Sequence, residues 1–84
     1  MRYRDSFYDW GISEREADQV IAQDVCYRIH DGERGNAQYM YVGYTLDGRL
    51  IEVGIESYPE GEDDWMFHAR KAGPEARKVW KGIR

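Results

Sequence analysis

The stretch YMYVGYTLDGRLIEVGIES, residues 39–57, decides the fold of this chain. Residues 39–45 and 50–57 are rich in aromatic and β-branched side chains, which favour extended strands. Asp47 and Gly48 lie in the short connection between these runs, and this dipeptide accepts the positive φ of a tight turn at little cost. The stretch therefore predicts a β-hairpin.

Apolar and polar positions alternate along the second strand of this hairpin. Three aliphatic residues share one side, and two glutamates and a glycine share the other: Ile51, Val53 and Ile55 against Glu52, Gly54 and Glu56. Such alternation predicts that one face of the sheet is buried and that the other face is exposed to water.

Two further runs predict strands on either side of the hairpin, at residues 25–30 and 65–71. Cys26 lies in the first run, whose alternating pattern favours a buried, unreactive thiol. In the second run the alternation assigns side chains to two faces: Trp65, Phe67 and Ala69 to the core, and Met66, His68 and Arg70 to the opposite face.

A helix is predicted near each end of the chain. Ser13 and Glu16 have the spacing of a capping box, and the apolar residues that follow predict a helix of about 10–12 residues. Pro74 suits the first position of a second helix, where no backbone donor is needed. The predicted apolar face of that helix comprises Ala76, Val79, Trp80 and Ile83. Residues 1–10 are compatible with a short strand or with a helical turn that packs its rings on the core.

These elements predict an α+β fold in a single domain, residues 1–84. The expected architecture is a small antiparallel sheet of three to four strands packed against an N-terminal and a C-terminal helix. No apolar run approaches the ~20 residues of a membrane span, and no signal-peptide core is present. We therefore expect a cytoplasmic protein. The lone cysteine excludes an internal disulfide and an all-cysteine zinc site.

Positive charge is concentrated at the carboxyl-terminal end. Residues 70–84 carry six basic side chains and one acidic side chain, a balance of +5, whereas residues 1–69 carry six basic and fifteen acidic side chains, a balance of −9. The net charge of −4 thus hides a strongly dipolar molecule. A basic patch beside a strand that contains a histidine and an arginine is suited to holding a phosphate backbone.

Four local segments carry a resemblance to a known family: residues 10–13 with Ala17, residues 41–44, residues 48–53 and residues 66–72. In order and spacing they resemble the BrnT-type ribonuclease toxins of bacterial type II toxin–antitoxin modules, which share the RelE-like fold. Asp9 and Trp10 stand where that family usually has a Lys-His pair, and His68 stands where it has a serine. The resemblance implies an RNA-cleaving toxin, a possible endoribonuclease, whose partners are RNA and a cognate antitoxin protein.

Metal-independent RNA cleavage needs proton transfer and a clamp on the phosphate. Glu52 and His68 are predicted on strands that can be neighbours, on the same face as Arg70. We therefore predict Glu52, His68 and Arg70 as catalytic residues, with Glu52 or His68 as the base and His68 as the acid. Predicted RNA-binding residues are Arg49, Lys71, Arg77, Lys78 and Lys81. No metal or other cofactor is predicted, since the acidic turn at residues 60–64 lacks the ligand spacing of a calcium loop.

Two alternatives remain open at this point. The trio Glu52, His68 and Arg70 also fits a cross-strand charge cluster of slight energetic value. The basic helix also fits an ordinary solvated face, because cations are favoured near helix C-termini. The alternative function is a non-catalytic interaction protein on the same fold, either an inactivated homologue or an acidic inhibitor of a nucleic-acid-binding protein. The sequence leaves the oligomeric state open.

Overall fold

A computed structural model describes residues 1–32, 35–59 and 62–83 of the chain. Glu60 and Gly61 of the predicted acidic turn lie outside these residues, as does the side chain of Ile83 in the predicted helix face. The elements are β1 (Arg2–Tyr3), a 3₁₀ helix (Asp5–Trp10), α1 (Glu14–Ile21), β2 (Cys26–Asp31), β3 (Ala37–Tyr44), β4 (Leu50–Ser57), β5 (Trp65–Lys71) and α2 (Pro74–Ile83).

The strands form one five-stranded sheet in the order β1-β5-β4-β3-β2. The α+β class is as predicted, but the sheet has five strands rather than three to four. It is also mixed rather than antiparallel, because β1 pairs in parallel with β5. β1 is short, and it is held by backbone hydrogen bonds from Arg2 N to Asp64 O (2.9 Å) and from Arg4 N to Met66 O (2.9 Å). Two residues are too few to show a strand pattern in the sequence.

The predicted hairpin is confirmed. β3 and β4 pair antiparallel, and the turn between them is closed by hydrogen bonds from Thr45 N to Arg49 O (2.9 Å) and from Gly48 N to Thr45 O (3.0 Å). Gly48 has a φ of +84°, which is the left-handed conformation that the Asp-Gly dipeptide predicted. The turn thus fixes the register that places the side chains of β4.

The capping box of α1 is also confirmed. Glu16 N donates to Ser13 Oγ (3.1 Å), and Ser13 N donates to Glu16 Oε1 (2.9 Å). The helix has eight residues, fewer than expected. It ends at Ile21, and Asp24 beyond it adopts a positive φ of 57°, so Asp24 belongs to the turn that leads into β2.

Both faces of the sheet carry a helix, which corrects the prediction of one buried and one exposed face. One core cluster joins Ala17 and Val20 of α1 to the aliphatic side of β4. A second cluster joins Ala76 of α2 to Val42 and Leu50 on the opposite side. α2 therefore covers part of the face that contains Glu52, and it shields that carboxyl from water.

A bulge in β5 changes the predicted assignment of its side chains. The register shifts where Gly54 pairs with His68 and Ile55 pairs with Met66, so Phe67 is the extra residue. Met66, which is 1% exposed, is in the main core instead of Phe67. Ala69 keeps its predicted place in the core.

Cys26 corrects another expectation. The thiol is exposed on β2, which lies at the end of the sheet and pairs only with β3. Burial does not alternate along this strand: Tyr27 is half-buried, and the other residues of Cys26–Asp31 are exposed. An edge strand therefore leaves exposed a residue type that is usually buried.

Candidate functional site

The candidate site lies on the face of the sheet that α2 partly covers. Glu52 of β4 pairs with Arg70 of β5, and Gly54 pairs with His68, so all three side chains share one face, as predicted. His68 Nε2 lies 2.7 Å from Glu52 Oε2. The bulge at Phe67 does not change the faces predicted for His68 and Arg70, because both residues lie after it in β5. An acid–base pair is therefore formed across two central strands.

The carboxyl of Glu52 is held by two elements at once. While Oε2 contacts His68, Oε1 accepts a hydrogen bond from Gly73 N at 2.7 Å. Gly73 immediately precedes α2, and its carbonyl accepts the first-turn hydrogen bond of that helix from Arg77 N at 3.0 Å. A negative charge is favourable at a helix N-terminus. The start of α2 thus fixes the Glu52 side chain against the sheet.

The environment of Glu52 favours its charged form. The residue is 9% exposed, and this burial by itself acts to raise the pKa of the carboxyl. The hydrogen bonds from His68 and Gly73 and the electrostatic effects of His68 and Arg70 together outweigh burial, so the pKa of Glu52 is lowered. Glu52 is therefore an ionised carboxylate at neutral pH.

This charge state determines which nitrogen of His68 carries a proton. An ionised carboxylate only accepts hydrogen bonds, so the 2.7 Å contact requires a proton on Nε2 of His68. In the neutral ring Nδ1 is then the basic nitrogen. Across the part of the chain that the structure describes, no hydrogen bond engages Nδ1. The imidazole of His68 is partly exposed.

Arg70 extends the site towards the outer edge of β5. Its Nε donates to the carbonyl of Lys71 at 3.2 Å, and its guanidinium carbon lies 5.1 Å from the centre of the Trp10 ring. Because Arg70 is directly opposite Glu52 in the sheet, it adds positive charge beside the acid–base pair.

Two predicted RNA-binding residues are not brought to this pair. Arg49 is held by carboxylates on the other side of the sheet: its Nε lies 2.9 Å from Asp47, and its Nη2 contacts Glu16 of α1. Lys71 pairs with Ile51, which places it on the α1 face. The phosphate clamp expected from Arg49, Arg70 and Lys71 together is therefore reduced to Arg70.

The other three predicted RNA-binding residues lie on α2, the helix whose start is held next to Glu52. Arg77 is exposed, and its Nε donates to the carbonyl of Ala72 at 2.9 Å. Lys78 and Lys81 are exposed, which agrees with their predicted position on the outer side of the helix. The helix that carries them packs through Ala76 on the same face of the sheet as Glu52.

Sequence reasoning missed two contributors, Trp10 and Gly73. Residues 1–10 left a short strand or a helical turn with its rings on the core as alternatives, and the structure has both a strand and a helix there; of the rings only Phe7 is fully buried, and Trp10 is 60% exposed beside Arg70. Gly73, which precedes Pro74, is not among the predicted site residues. The Gly-Pro dipeptide before a basic helix was a signal for an anion-accepting N–H group, but no local pattern indicated that Glu52 would be that anion.

Other classes of site were also considered. Within residues 1–32, 35–59 and 62–83, no three His, Cys, Asp or Glu side chains are grouped closely enough to hold a metal ion. Over the same residues, neither helix is long and apolar enough to cross a membrane.

No protein-family model matches the sequence, and neither a curated protein nor a solved structure matches it. The resemblance to BrnT-type toxins therefore stays a prediction that rests on the four local segments.

Proposed function

We propose that this protein is a metal-independent endoribonuclease, the toxin of a toxin–antitoxin module. The observation that carries the proposal is the 2.7 Å contact between a buried, ionised Glu52 and the Nε2 of a partly exposed His68. A carboxylate that fixes the tautomer of a histidine is a recurring arrangement for general acid–base catalysis.

The proposed reaction uses His68 as the group that carries the proton. Nδ1 of neutral His68 takes the proton of a ribose 2′-hydroxyl, and the 2′-oxygen then attacks the adjacent phosphorus. The bond to the 5′-oxygen breaks, and the proton passes from His68 to that leaving oxygen. The products are a 2′,3′-cyclic phosphate and a 5′-hydroxyl. Glu52 stabilises the charged imidazole, and Arg70 stabilises negative charge on the phosphate.

The surface charges support a polyanionic substrate. α2 packs on the face that contains Glu52 and carries three exposed cations, Arg77, Lys78 and Lys81, and a basic surface of this kind attracts a phosphate backbone. The same surface would attract acidic segments of an antitoxin, which would cover it. A toxin of this class would act in the cytoplasm, where its RNA substrate is found.

Cleavage of purified RNA in the presence of EDTA tests the proposal. We expect products with 2′,3′-cyclic phosphate ends, and a loss of activity on the order of 10²–10⁴-fold in His68→Ala. His30→Ala is the matched control, because His30 is the only other histidine and is exposed on β2. Expression of the wild-type chain should arrest growth, and His68→Ala should relieve the arrest. Wild-type activity in His68→Ala would rule the proposal out.

A non-catalytic interaction protein is the second candidate, and one observation favours it. Both oxygens of Glu52 already have partners within the fold, so the pair with His68 also serves as a structural link between β4, β5 and α2. The acidic net charge of −4 agrees with a protein that competes for a nucleic-acid-binding partner. If the purified chain leaves RNA intact and its expression is harmless, this candidate replaces the first.

A further inference from the structure

Trp10 occupies an unusual position for so large an apolar side chain. It is the last residue of the 3₁₀ helix, and Gly11, with a φ of +74°, ends the helix directly after it. Phe7 of the same helix is 0% exposed and belongs to the main core, whereas Trp10 is 60% exposed. The helix thus buries the ring of Phe7 and presents the ring of Trp10 to solvent.

The 3₁₀ helix is fixed beside β5. β1 pairs with β5 only at Trp65 and Met66, so the remaining outer edge of β5 is open to the helix. Ser6 Oγ donates to the carbonyl of Phe67, which anchors the helix at the bulge. Trp10 therefore has a defined place on the edge of β5, although its ring is largely exposed.

The exposed ring is next to the candidate site. The guanidinium carbon of Arg70 lies 5.1 Å from the centre of the indole, within the range of a cation–π contact. Arg70 in turn lies opposite Glu52, whose carboxylate binds His68. An aromatic ring, a cation and an acid–base pair thus lie in neighbouring positions from the 3₁₀ helix across β5 to β4.

We propose that Trp10, held by Arg70, is a stacking platform for one nucleobase of single-stranded RNA. The inference rests on the proposed function and adds to it the substrate class, an unpaired strand. Planar indole and guanidinium groups both stack on bases, and the charge of Arg70 beside the ring suits the adjacent phosphate. A base inside a duplex is already stacked on its neighbours, so only an unpaired base is free to use this surface.

Binding is measured with an oligoadenylate whose 2′-hydroxyls are all methylated, because this RNA cannot be cleaved. We expect Trp10→Ala to weaken binding about tenfold, and Trp10→Phe to retain most of the affinity. Leu46→Ala is the control, since Leu46 is also apolar and exposed but lies at the β3–β4 turn. Quenching of tryptophan fluorescence by the RNA should be smaller in Trp10→Phe than in the wild type.

The salt dependence separates stacking from charge. Trp10→Ala should lower affinity equally at every salt concentration, because stacking releases no counterions. Arg70→Gln should reduce the slope of log affinity against log salt by about 0.7, the value for one phosphate contact on a single strand. A reduced slope in Trp10→Ala would mean that Trp10 only positions Arg70, and the platform would be wrong.

The remaining outcomes separate this inference from the proposed function. If unmodified RNA is cleaved and Trp10→Ala binds and cleaves like the wild type, the platform is wrong and the ribonuclease stands. If the methylated RNA binds with Trp10-dependent quenching but unmodified RNA is not cleaved, the platform stands and the ribonuclease is wrong. Equal affinity for duplex and single-stranded RNA would overturn the preference for an unpaired strand.

Discussion

β4 carries two glutamates on the same face, Glu52 and Glu56, with Gly54 between them, and their surroundings differ in one chemical respect. Each carboxyl is partly or fully shielded from water and accepts several hydrogen bonds, and the pKa of each is lowered. Glu52 has an imidazole among its partners, and Glu56 has none. The comparison shows which features of the candidate site Glu52 shares with another shielded glutamate of the same strand and which feature distinguishes it.

The partners of Glu56 hold it as a structural anion. Its two oxygens accept hydrogen bonds from Arg4, Tyr58, Asn36 and Gln38. The hydrogen bond from Tyr58 contributes most to the lowered pKa of Glu56, and burial opposes it. The carboxylate in turn raises the pKa of Tyr58. None of these partners gains or loses a proton near neutral pH, so this cluster joins the N-terminal segment to β3 and β4 without proton transfer.

Burial and hydrogen bonding of a glutamate are therefore not sufficient to indicate a catalytic site in this sheet. What distinguishes Glu52 is an imidazole partner, a side chain that can both accept and donate a proton, with its second ring nitrogen unengaged by the described residues. Glutamine variants of Glu52 and Glu56 test this distinction directly, and an alanine at Gly54 tests the packing of the strand between them.

The largest difference is expected in RNA cleavage. Glu52→Gln removes the charge that fixes and stabilises the imidazole, so we expect the rate of cleavage to fall on the order of 10²–10⁴-fold. Glu56→Gln should cleave at close to the wild-type rate, because its cluster contains no proton carrier. Rates measured under single-turnover conditions across a pH series would separate lost catalysis from weaker binding. Equal losses in the two variants would show that the Glu52 cluster is structural.

Gly54, between the two glutamates, tests how tightly the bulge is packed. A Cβ at this position would lie 2.8 Å from Phe67 Cζ and 3.1 Å from His68 Cβ, so one ring or the strand must move. We expect Gly54→Ala to lower the free energy of unfolding by about 1–3 kcal/mol and to disturb the contact between His68 and Glu52. Denaturant unfolding measures the first effect.

Gly82 in α2 provides the matched control for Gly54. A Cβ there meets nothing within 4 Å, so Gly82→Ala should raise helix stability by up to about 1 kcal/mol. If the two substitutions shift stability in the same direction, the side chain of Phe67 is free to move aside and the bulge is not closely packed.

The smallest effect is expected on stability in acid. The folded-state pKa of each glutamate lies below the ordinary value of 4.5, so each contributes stability above that pH. This contribution is lost as the pH falls from 4.5 through the folded-state pKa. Glu52→Gln and Glu56→Gln should each flatten the dependence of unfolding free energy on pH in this range. The double variant should flatten it further, because the two clusters share no hydrogen-bonding partner. An unchanged acid profile in Glu52→Gln would mean that its carboxyl is not held in the charged form.

Local signals in the sequence predicted much of this framework. The Asp47-Gly48 turn and the capping box of Ser13 and Glu16 depend on residues within four positions of one another, and both form as predicted. Strand alternation likewise placed Glu52 and His68 on one face. It failed at Met66 and Phe67, because a bulge inserts one residue and reverses the side on which its neighbours lie.

The sequence by itself determined the class of the fold, the hairpin and the face that Glu52, His68 and Arg70 share, because periodicity and caps act over a few residues. Only the tertiary structure decided which charged side chains are held by partners within the fold and which remain available to a ligand. Glu16 contacts Arg49 from another element, and the start of α2 fixes Glu52. The 3₁₀ helix brings Trp10 to Arg70 in the same way. These contacts join residues far apart in the chain, and their partners are selected by the packing of helices on both faces of the sheet, which no local pattern specifies.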